Sequence, residues 1–314
     1  MFLTVTANAA LDRLIFIPRF EFAATMRTQE VIDAVGGKGY DVSVALRCLG
    51  QPTIAVGFMA GGVGQALENI LQGYGIQTDL VWVEGETRTA HVIIETERHR
   101  HSHIITGGYT VQTAHLQSLM ARFEARLPAA SWVIASGSLP PGVPLNFYAA
   151  ITRLAHSRHV PALIDTAGEP MRQALTARPE IAKLNWQEFT STFALSENLE
   201  PDKVYQQARE LVRTHGLSCL VITRGDKGLI AFSPQGDYQA TPPRLEAVNA
   251  AGAGDAASAC LVWRLSLGES LPEALRWSAA AGAATVLTRR TAECEWQTVQ
   301  ALYPQVTLAQ LPGR

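Results

Sequence analysis

Short apolar runs alternate with longer amphipathic segments along most of the chain. The runs are rich in β-branched residues, which is typical of strands covered on both faces, and they occupy residues 53–58, 132–135, 161–165 and Cys219–Thr223. Apolar positions at helical spacing predict helices over residues 40–49, 64–73, 113–127, 145–156 and 202–215. The alternation predicts an α/β fold in which helices cover both sides of a mostly parallel sheet.

Two segments depart from this alternation. Residues 14–35 and 88–105 have the pattern of successive strands with no helix between them. Such strands predict a small antiparallel sheet beside the α/β body, placed as a lid that covers a ligand and excludes water. The sequence shows no internal repeat, low-complexity tract or linker, so a single domain is expected over residues 1–314.

The charge balance limits the classes of partner. The 314 residues carry 26 basic and 28 acidic side chains, and 47% of them are hydrophobic. A chain of this size and apolar content folds around its own core without disulfide or metal staples, and its near-neutral balance gives no footprint for nucleic acid. A small anionic ligand stays compatible with this balance, because one pocket needs only a few cations.

The remaining composition favours a cytoplasmic protein. The four cysteines, which stand at positions 48, 219, 260 and 294, are far apart and form no C-x-x-C pair, so reduced thiols are expected. No basic segment precedes the first apolar run, as a secretory signal requires. The longest apolar stretch, residues 279–287, is shorter than the roughly 18 residues that span a bilayer.

Glycine is concentrated in four clusters, at residues 36–39, 61–64, 136–142 and 252–255. Glycine permits positive φ and leaves N–H groups bare, so such clusters are either anion cradles or ordinary βα turns. Lys38 follows a glycine, as in a phosphate-binding P-loop. That motif requires Gly where the chain has Ile32 and Ser or Thr where it has Gly39, so it is excluded.

The last cluster carries an aspartate. Residues 252–257 fit the dinucleotide pattern G-x-G-x-x-A, but only about 60 residues follow it, too few for a whole dinucleotide site. An apolar helix is predicted over residues 256–267, which puts Asp255 in or beside its first turn. Asp255 is then either a helix cap or a base beside an anion hole made by the N–H groups of Gly252, Ala253 and Gly254.

Six motifs follow one another in a specific order. They are Asn8 with Asp12, Gly36-Gly37-Lys38-Gly39 with Val42, Thr87-Arg88, Ser136-Gly137-Ser138-Leu139-Pro140, Lys183-x-Asn185-x-x-Glu188, and Gly252-Ala253-Gly254-Asp255. In this order and over nearly the whole chain, they resemble the PfkB group of ribokinase-type carbohydrate kinases. The resemblance is to its phosphosugar branch, the 1-phosphofructokinases and tagatose-6-phosphate kinases.

The resemblance implies a three-layer α/β/α body with a small β lid, ATP as phosphoryl donor and Mg²⁺ as counter-ion. Asp255 matches the catalytic base of the family, and Gly252, Ala253 and Gly254 match its anion hole. Asn185 and Glu188 match the segment that orients magnesium, mostly through water, and their oxygens suit that cation. The positions that match nucleotide contacts are Lys183, Asn185, Thr223, Gly225, Gly228 and Gly254.

The resemblance also implies a sugar-phosphate site. The matching positions are Asp12, Arg27, Gly37, Lys38, Asp41, Arg88 and Ser138. Arg27 and Arg88 fall where the branch has cations facing the existing phosphate, and Lys38 adds a third charge. Solvated lid residues are the alternative interpretation of the two arginines.

Two positions depart from the family pattern. Asp41 stands where the family usually has asparagine, and Leu184 replaces the usual proline. A carboxylate at position 41, close to Asp12, accepts hydrogen bonds from sugar hydroxyls and repels a nearby phosphate. The identity of the sugar is therefore left open.

A run of histidines falls within the predicted lid. On a strand, His99, His101 and His103 share one face, and three imidazoles are able to bind zinc or copper. The neighbouring arginines repel a cation, and no cysteine ligand accompanies the run. The sequence therefore favours a solvated hairpin tip.

These observations predict ATP-dependent phosphorylation of fructose 1-phosphate, fructose 6-phosphate or tagatose 6-phosphate, with Asp255 as general base. A kinase for an unphosphorylated sugar or nucleoside is one alternative, and a catalytically silent sugar-phosphate sensor is another. An exposed lid edge gives a motive for a homodimer formed through the lid.

Overall fold

The apolar runs that the sequence predicts as strands lie side by side in one sheet of ten strands. The computed structural model of the protein describes residues 1–98, 100–196 and 200–312. Its strands are β1 (Phe2–Thr6), β2 (Ala10–Ile17), β3 (Glu30–Gly36), β4 (Thr53–Met59), β5 (Gln77–Trp82), β6 (Gly85–Glu95), β7 (Arg100–Tyr109), β8 (Trp132–Ser136), β9 (Ala162–Asp165), β10 (Ile181–Asn185), β11 (Cys219–Thr223), β12 (Leu229–Phe232), β13 (Tyr238–Thr241) and β14 (Thr307–Gln310). Its helices are α1 (Lys38–Cys48), α2 (Gly61–Gly73), α3 (Thr113–Arg126), α4 (Phe147–Ser157), α5 (Glu169–Leu175), α6 (Trp186–Thr192), α7 (Pro201–His215), α8 (Ala253–Ser266), α9 (Leu271–Thr285) and α10 (Trp296–Leu302).

The large sheet is parallel over most of its width. Its order is β14-β13-β12-β11-β10-β9-β8-β1-β4-β5; the strands from β11 to β5 pair in parallel, and β12, β13 and β14 form an antiparallel edge. Parallel strands end at one edge of the sheet, where open α/β sheets bind ligands. Along this edge Thr6 lies beside Ser136, Ser136 beside Asp165, and Asn185 beside Thr223.

Helices cover both faces of this sheet, which confirms the predicted three-layer body. Successive side chains of a strand point to opposite faces, so Phe2 and Leu3 of β1 belong to different apolar clusters. One cluster includes residues of α3, α4, α5 and α7, and the other includes residues of α1, α8, α9 and α10. The predicted helices are present close to their expected bounds, whereas α5, α6, α9 and α10 were not assigned from the sequence.

A second sheet of four strands forms the lid, in the order β3-β2-β6-β7. It extends beyond the predicted bounds, since its strands cover residues 10–36 and 85–109. The prediction of a wholly antiparallel lid was wrong, because β2 and β6 pair in parallel. The chain returns to the body to form α1, β4, α2 and β5 between β3 and β6, and it enters the lid a second time in the same direction as β2.

The state of the cysteines and the character of the helices agree with what the composition predicts. All four thiols are free; Cys48 is half-buried and Cys219, Cys260 and Cys294 are buried. Among the described residues, no helix combines the length and the apolar character needed to cross a membrane.

One tyrosine fastens the lid to the body. Tyr109 is the last residue of β7, and its buried hydroxyl accepts a hydrogen bond from the Ala9 N–H at 3.0 Å. The same hydroxyl donates toward two carbonyl oxygens, that of Ala7 at 3.0 Å and that of Phe58 at 3.3 Å. A side chain of the lid thereby satisfies backbone groups at the end of β1 and at β4.

We expect Tyr109→Phe to lower the free energy of unfolding by about 1–3 kcal/mol, because the buried Ala9 N–H loses its acceptor. Urea unfolding at pH 7 measures the loss. Tyr205→Phe is the control, since its hydroxyl only accepts a partly buried bond from Arg224, and it should shift the midpoint less. Equal midpoints for wild type and Tyr109→Phe would contradict this account of the lid attachment.

Candidate active site

Two cavities lie near the carboxyl edge of the parallel strands. One, of about 570 Å³, lies under the lid and is lined by predicted sugar-site residues, namely Asp12, Gly37, Lys38, Asp41, Arg88 and Ser138. The other, of about 780 Å³, lies between the antiparallel edge and α8 and α9. It is lined by the predicted nucleotide-site residues Thr223, Gly225, Gly228 and Gly254, and by Ala253 of the predicted anion hole. Lys183 lies behind Gly254 in the wall of this second cavity, since a Cβ built on Gly254 would come 3.4 Å from Lys183 Nζ.

The glycine turn before α8 has the geometry that its sequence predicts. Gly252 adopts φ 78°, and a Cβ there would come 2.4 Å from the backbone nitrogen of Ala292, so no other residue fits. The Ala253 N–H donates to the Ala250 carbonyl at 3.3 Å. Within the described chain the N–H groups of Gly252 and Gly254 have no acceptor. The turn therefore offers free donors at the positive end of a 14-residue helix.

Asp255 lies in the first turn of α8, as predicted, and it is buried. Its Oδ1 accepts no hydrogen bond from the described residues. Burial, followed by the negative charge of Asp165, raises the pKa of Asp255 to about 7, against the opposing charges of Lys183 and Lys38. A carboxyl group with this pKa is suited to take up a proton near neutral pH.

Asp165 was not identified from the sequence, although it holds the site together. Its carboxylate, at the end of β9, accepts hydrogen bonds from Lys38 Nζ at 2.8 Å and from Lys183 Nζ. Burial would raise the pKa of Asp165, but the charges of Lys183 and Lys38 outweigh it and lower the pKa to about 2. The available signal was a polar residue at the carboxyl end of a predicted buried strand.

Lys38 lines the sugar cavity, yet its charge is already paired. Its Nζ lies 2.8 Å from Asp165 Oδ1 and 2.8 Å from Glu188 Oε1. From the sequence, this ammonium is expected to provide a third positive charge that faces the sugar's phosphate. In the structure it is held between two carboxylates instead.

The Asn185 and Glu188 side chains lock the start of α6. Glu188 N–H donates to Asn185 Oδ1 at 2.8 Å, and Asn185 N–H donates to Glu188 Oε2 at 2.9 Å. Because Lys38 occupies Glu188 Oε1, these oxygens are partly engaged. Among the described residues no group of three acidic, histidine or cysteine side chains is arranged to hold a metal. The donors fit a Mg²⁺ that keeps its waters and is bound mainly by nucleotide phosphates.

Two further carboxyl groups belong to the sugar cavity. Asp12 Oδ2 accepts a hydrogen bond from the Thr291 hydroxyl at 3.3 Å, and burial raises the pKa of Asp12 to about 7, against the effects of Thr291 and Arg88. Asp41 in the first turn of α1 is 4% exposed, and its Oδ1 has no partner within the described chain. Burial and the nearby charges of Asp255 and Asp12 raise the pKa of Asp41 well above its ordinary value.

The glycines before α1 allow this close packing. A Cβ on Gly36 would come 2.2 Å from Asp12 Oδ1, and a Cβ on Gly39 would come 2.4 Å from Thr6 Oγ1. The first cluster therefore lets α1 approach β1 and the lid strand β2. On the opposite wall Asn8 Nδ2 donates to Ser138 Oγ at 3.0 Å.

The two arginines assigned to the substrate phosphate lie in different places. Arg88 lines the sugar cavity, half-buried, and its guanidinium donates to the carbonyls of Asn8 at 2.9 Å and Ala9 at 3.3 Å. Arg27 lies on the exposed segment between β2 and β3 and does not line that cavity.

The histidine run is divided by the structure. His101 and His103 lie on β7 with their ring centroids 5.3 Å apart, and His99 lies outside the described residues. His103 lines the sugar cavity, whereas His101 lies in a neighbouring cavity between the lid and residues 246–250. Sequence analysis did not include His103 in the substrate site.

Known proteins of similar sequence and structure are carbohydrate kinases. The family model for pfkB family carbohydrate kinases matches residues 4–298. A D-tagatose-1-phosphate kinase from Bacillus licheniformis is 31% identical over 289 residues, which are 92% of this chain and 93% of that protein.

Solved structures agree over the whole fold. A "possible 1-phosphofructokinase" from Thermotoga maritima superimposes with a TM-score of 0.90 at 27% identity, covering 99% of this chain and 100% of the other. Phosphofructokinase-2 from Escherichia coli, at 24% identity, shares the fold with a TM-score of 0.87 over 97% of this chain and 98% of its own. The resemblance seen in the motifs is confirmed, and the chain belongs to the pfkB family of carbohydrate kinases.

Proposed function

We propose that the protein transfers the γ-phosphate of ATP to a hydroxyl of a ketohexose monophosphate, with Asp255 as general base. The observation that carries the proposal is the buried carboxyl group of Asp255, which has an unpartnered oxygen. Asp255 directly follows Gly254 of the larger cavity, and it lies close enough to Asp41 of the smaller cavity for its charge to raise the pKa of Asp41. The relatives named as a tagatose-1-phosphate kinase and a 1-phosphofructokinase support a phosphorylated ketose. They add tagatose 1-phosphate to the sugars expected from the sequence. We also propose that residues 1–314 act as one domain.

The residues around Asp255 suit phosphoryl transfer. We propose that a nucleotide in the larger cavity lies against Gly254. The free N–H groups of Gly254 and of the nearby Gly252 then stabilise negative charge on the transferred group. Mg²⁺, when bound near Asn185 and Glu188, neutralises charge on the nucleotide phosphates. Asp255 accepts the proton of the attacking hydroxyl, which Asp12 and Asn8 orient from the sugar cavity.

We further propose that Asp41 acts as a neutral acid. The sequence analysis treated it as a carboxylate that repels phosphate. In the structure burial and two neighbouring carboxyl groups favour the protonated form. A protonated carboxyl group donates one hydrogen bond and accepts others, as the family's asparagine amide does. The substitution then preserves hydrogen-bonding character without placing a charge beside the substrate's phosphate.

The lid offers a surface for a homodimer. Side chains alternate along its strands, and the face opposite Asp12 carries Ile15, Val31, Ile93 and Ile104. Val31 and Ile104 are 50% and 52% exposed. We propose that two lids pack through this apolar face, beside the exposed edge strand β7.

We expect an ADP-release assay to show turnover with tagatose 1-phosphate, fructose 1-phosphate, fructose 6-phosphate or tagatose 6-phosphate, and weak turnover with fructose, ribose and adenosine. Asp255→Asn should lower kcat by about 10²–10⁴-fold, because the base is lost. Wild-type kcat/KM should fall below about pH 7, where Asp255 becomes protonated. Asp226→Asn is the control, because it removes a carboxylate from an exposed turn that lines the nucleotide cavity. This variant should keep a kcat close to that of wild type.

The outcomes separate the alternatives. Near-normal turnover by Asp255→Asn would remove the base assignment. Preference for fructose, ribose or adenosine would favour a kinase for unphosphorylated substrates. Tight binding of a sugar phosphate without ADP release would favour a sensor.

We expect Asp41→Asn to keep its activity and to make unfolding less dependent on pH. Folded wild type holds a proton on Asp41 that the unfolded chain releases above its ordinary pKa of 3.8, so wild-type stability falls as pH rises. The unfolding free energy of wild type relative to Asp41→Asn should fall as pH rises above 3.8, with a limiting slope of about 1.4 kcal/mol per pH unit while folded Asp41 keeps its proton. Urea titrations at three pH values measure it, and a constant difference would show an ionised Asp41 in the folded state.

We expect the wild-type protein to be a dimer in sedimentation equilibrium, and Ile104→Lys to be a monomer, because a buried unpaired charge opposes lid packing. Leu267→Lys is the control, since Leu267 is 60% exposed at the end of α8, outside the lid. A monomeric wild type, or a dimer that survives Ile104→Lys, would contradict lid pairing.

A further inference from the structure

The lid strand β7 places one imidazole in the wall of the sugar cavity. His103 pairs with Val92, and two residues further along Ile105 pairs with Ala90, which in turn lies beside Asp12. Because side chains alternate along a strand, His103 and Ile105 are on the same face as Asp12. Both line the cavity, and His103 is exposed there. Its ring nitrogens have no hydrogen-bond partner among the described residues.

The charges of this cavity are unfavourable for a sugar phosphate. Besides His103, its lining residues include two cations, Lys38 and Arg88. Lys38 is already paired with Asp165 and Glu188, and Arg88 donates from two of its nitrogens to backbone carbonyls. A phosphate monoester brings about −1.5 to −2 charges at neutral pH. One partly committed guanidinium leaves that charge incompletely neutralised, and Arg27 does not line the cavity.

His103 is the remaining lining residue that is able to become positive. Partial burial of the ring, together with the neighbouring His101, lowers the pKa of His103, so the ring is neutral in the free protein at neutral pH. The other charged or titratable groups that face it across the cavity are Arg88 of β6, Asp12 of β2, Lys38 and Asp41 of α1, and Glu188 of α6. A bound phosphate dianion favours the protonated imidazole, which donates a charge-assisted hydrogen bond.

We propose that His103 is a specificity-determining residue that contacts the phosphate group of the sugar substrate and completes, with Arg88, the anion site of the lid. This inference rests on the proposed function and names a residue that selects phosphorylated over free sugars. Binding of the sugar phosphate then carries a proton onto the His103 ring. The affinity for a sugar phosphate weakens as pH rises, because the cost of protonating the ring increases.

Steady-state kinetics with fructose 1-phosphate and tagatose 1-phosphate, and with fructose and tagatose as parent sugars, test the proposal. His103→Ala should raise KM for the sugar phosphates by about 10–100-fold, the range for a lost hydrogen bond to a charged group. The KM values for the parent sugars and for ATP should not change. His103→Gln keeps a hydrogen-bond donor but carries no charge, so its KM for the sugar phosphates should lie between those of wild type and His103→Ala. His101→Ala is the matched control, an imidazole on the same face of the same strand outside the sugar cavity. It should not raise KM, because loss of the neighbour that lowers the pKa of His103 favours protonation of His103.

A second readout detects the proton directly. Calorimetric titration of the sugar phosphate in buffers of different ionisation enthalpy should show proton uptake by wild type and by His101→Ala, and a smaller uptake by His103→Ala. Unchanged KM for the sugar phosphates in His103→Ala, an equal rise for parent sugars, or undiminished proton uptake would overturn the proposal. If wild type itself prefers the parent sugars, the proposed function fails first, and this is visible before any variant is made.

Discussion

The ion pairs of the buried Asp165 carboxylate bind both lysine ammonium groups of the candidate site. Both lysines of the reaction centre, Lys38 and Lys183, donate to this one buried carboxylate. Asp165 is thereby kept ionised, and its carboxylate compensates much of the positive charge of the two lysines. Asp255 and Asp41 are buried close by without a cation of their own, and their pKa values rise. With the lysines paired at the end of β9, burial outweighs the remaining attraction of their charges and raises the pKa of the neighbouring carboxyl groups.

Local sequence patterns were sufficient for the body of the fold and for the catalytic turn. Apolar runs and helical spacing depend on residues close together in the chain, and they predicted the alternation of strands and helices correctly. The same is true of the turn before α8, where Gly252 must have positive φ and Asp255 falls in the first helical turn. Parallel strands then bring separate motifs to one edge, which is why their order along the chain was informative.

Interactions between distant segments could not be predicted in this way. Lys38 and Asp165 are 127 positions apart, and no local pattern indicates that the lysine points to a carboxylate instead of a phosphate. The parallel pairing of β2 with β6 depends on the path of the chain through the body between them. The charge of Asp41 depends on how completely α1 is covered. Each of these properties belongs to the packed structure, and the resemblance to a family did not supply it.

The residues proposed for phosphoryl transfer and those proposed to select the substrate belong to different parts of the fold. Asp255, Gly252 and Gly254 belong to the body, where the sheet edge and α8 fix their positions. Arg88 and His103, by contrast, stand on the lid strands β6 and β7. On the proposed assignment, a substitution on these lid strands alters the contacts available to a sugar phosphate, while Asp255 and the N–H groups of the glycine turn keep their geometry. The near-zero net charge of the chain conceals this division. In the proposed complex, Arg88 and a protonated His103 of the lid contact the ligand's phosphate, and buried carboxyl groups lie close to its hydroxyls.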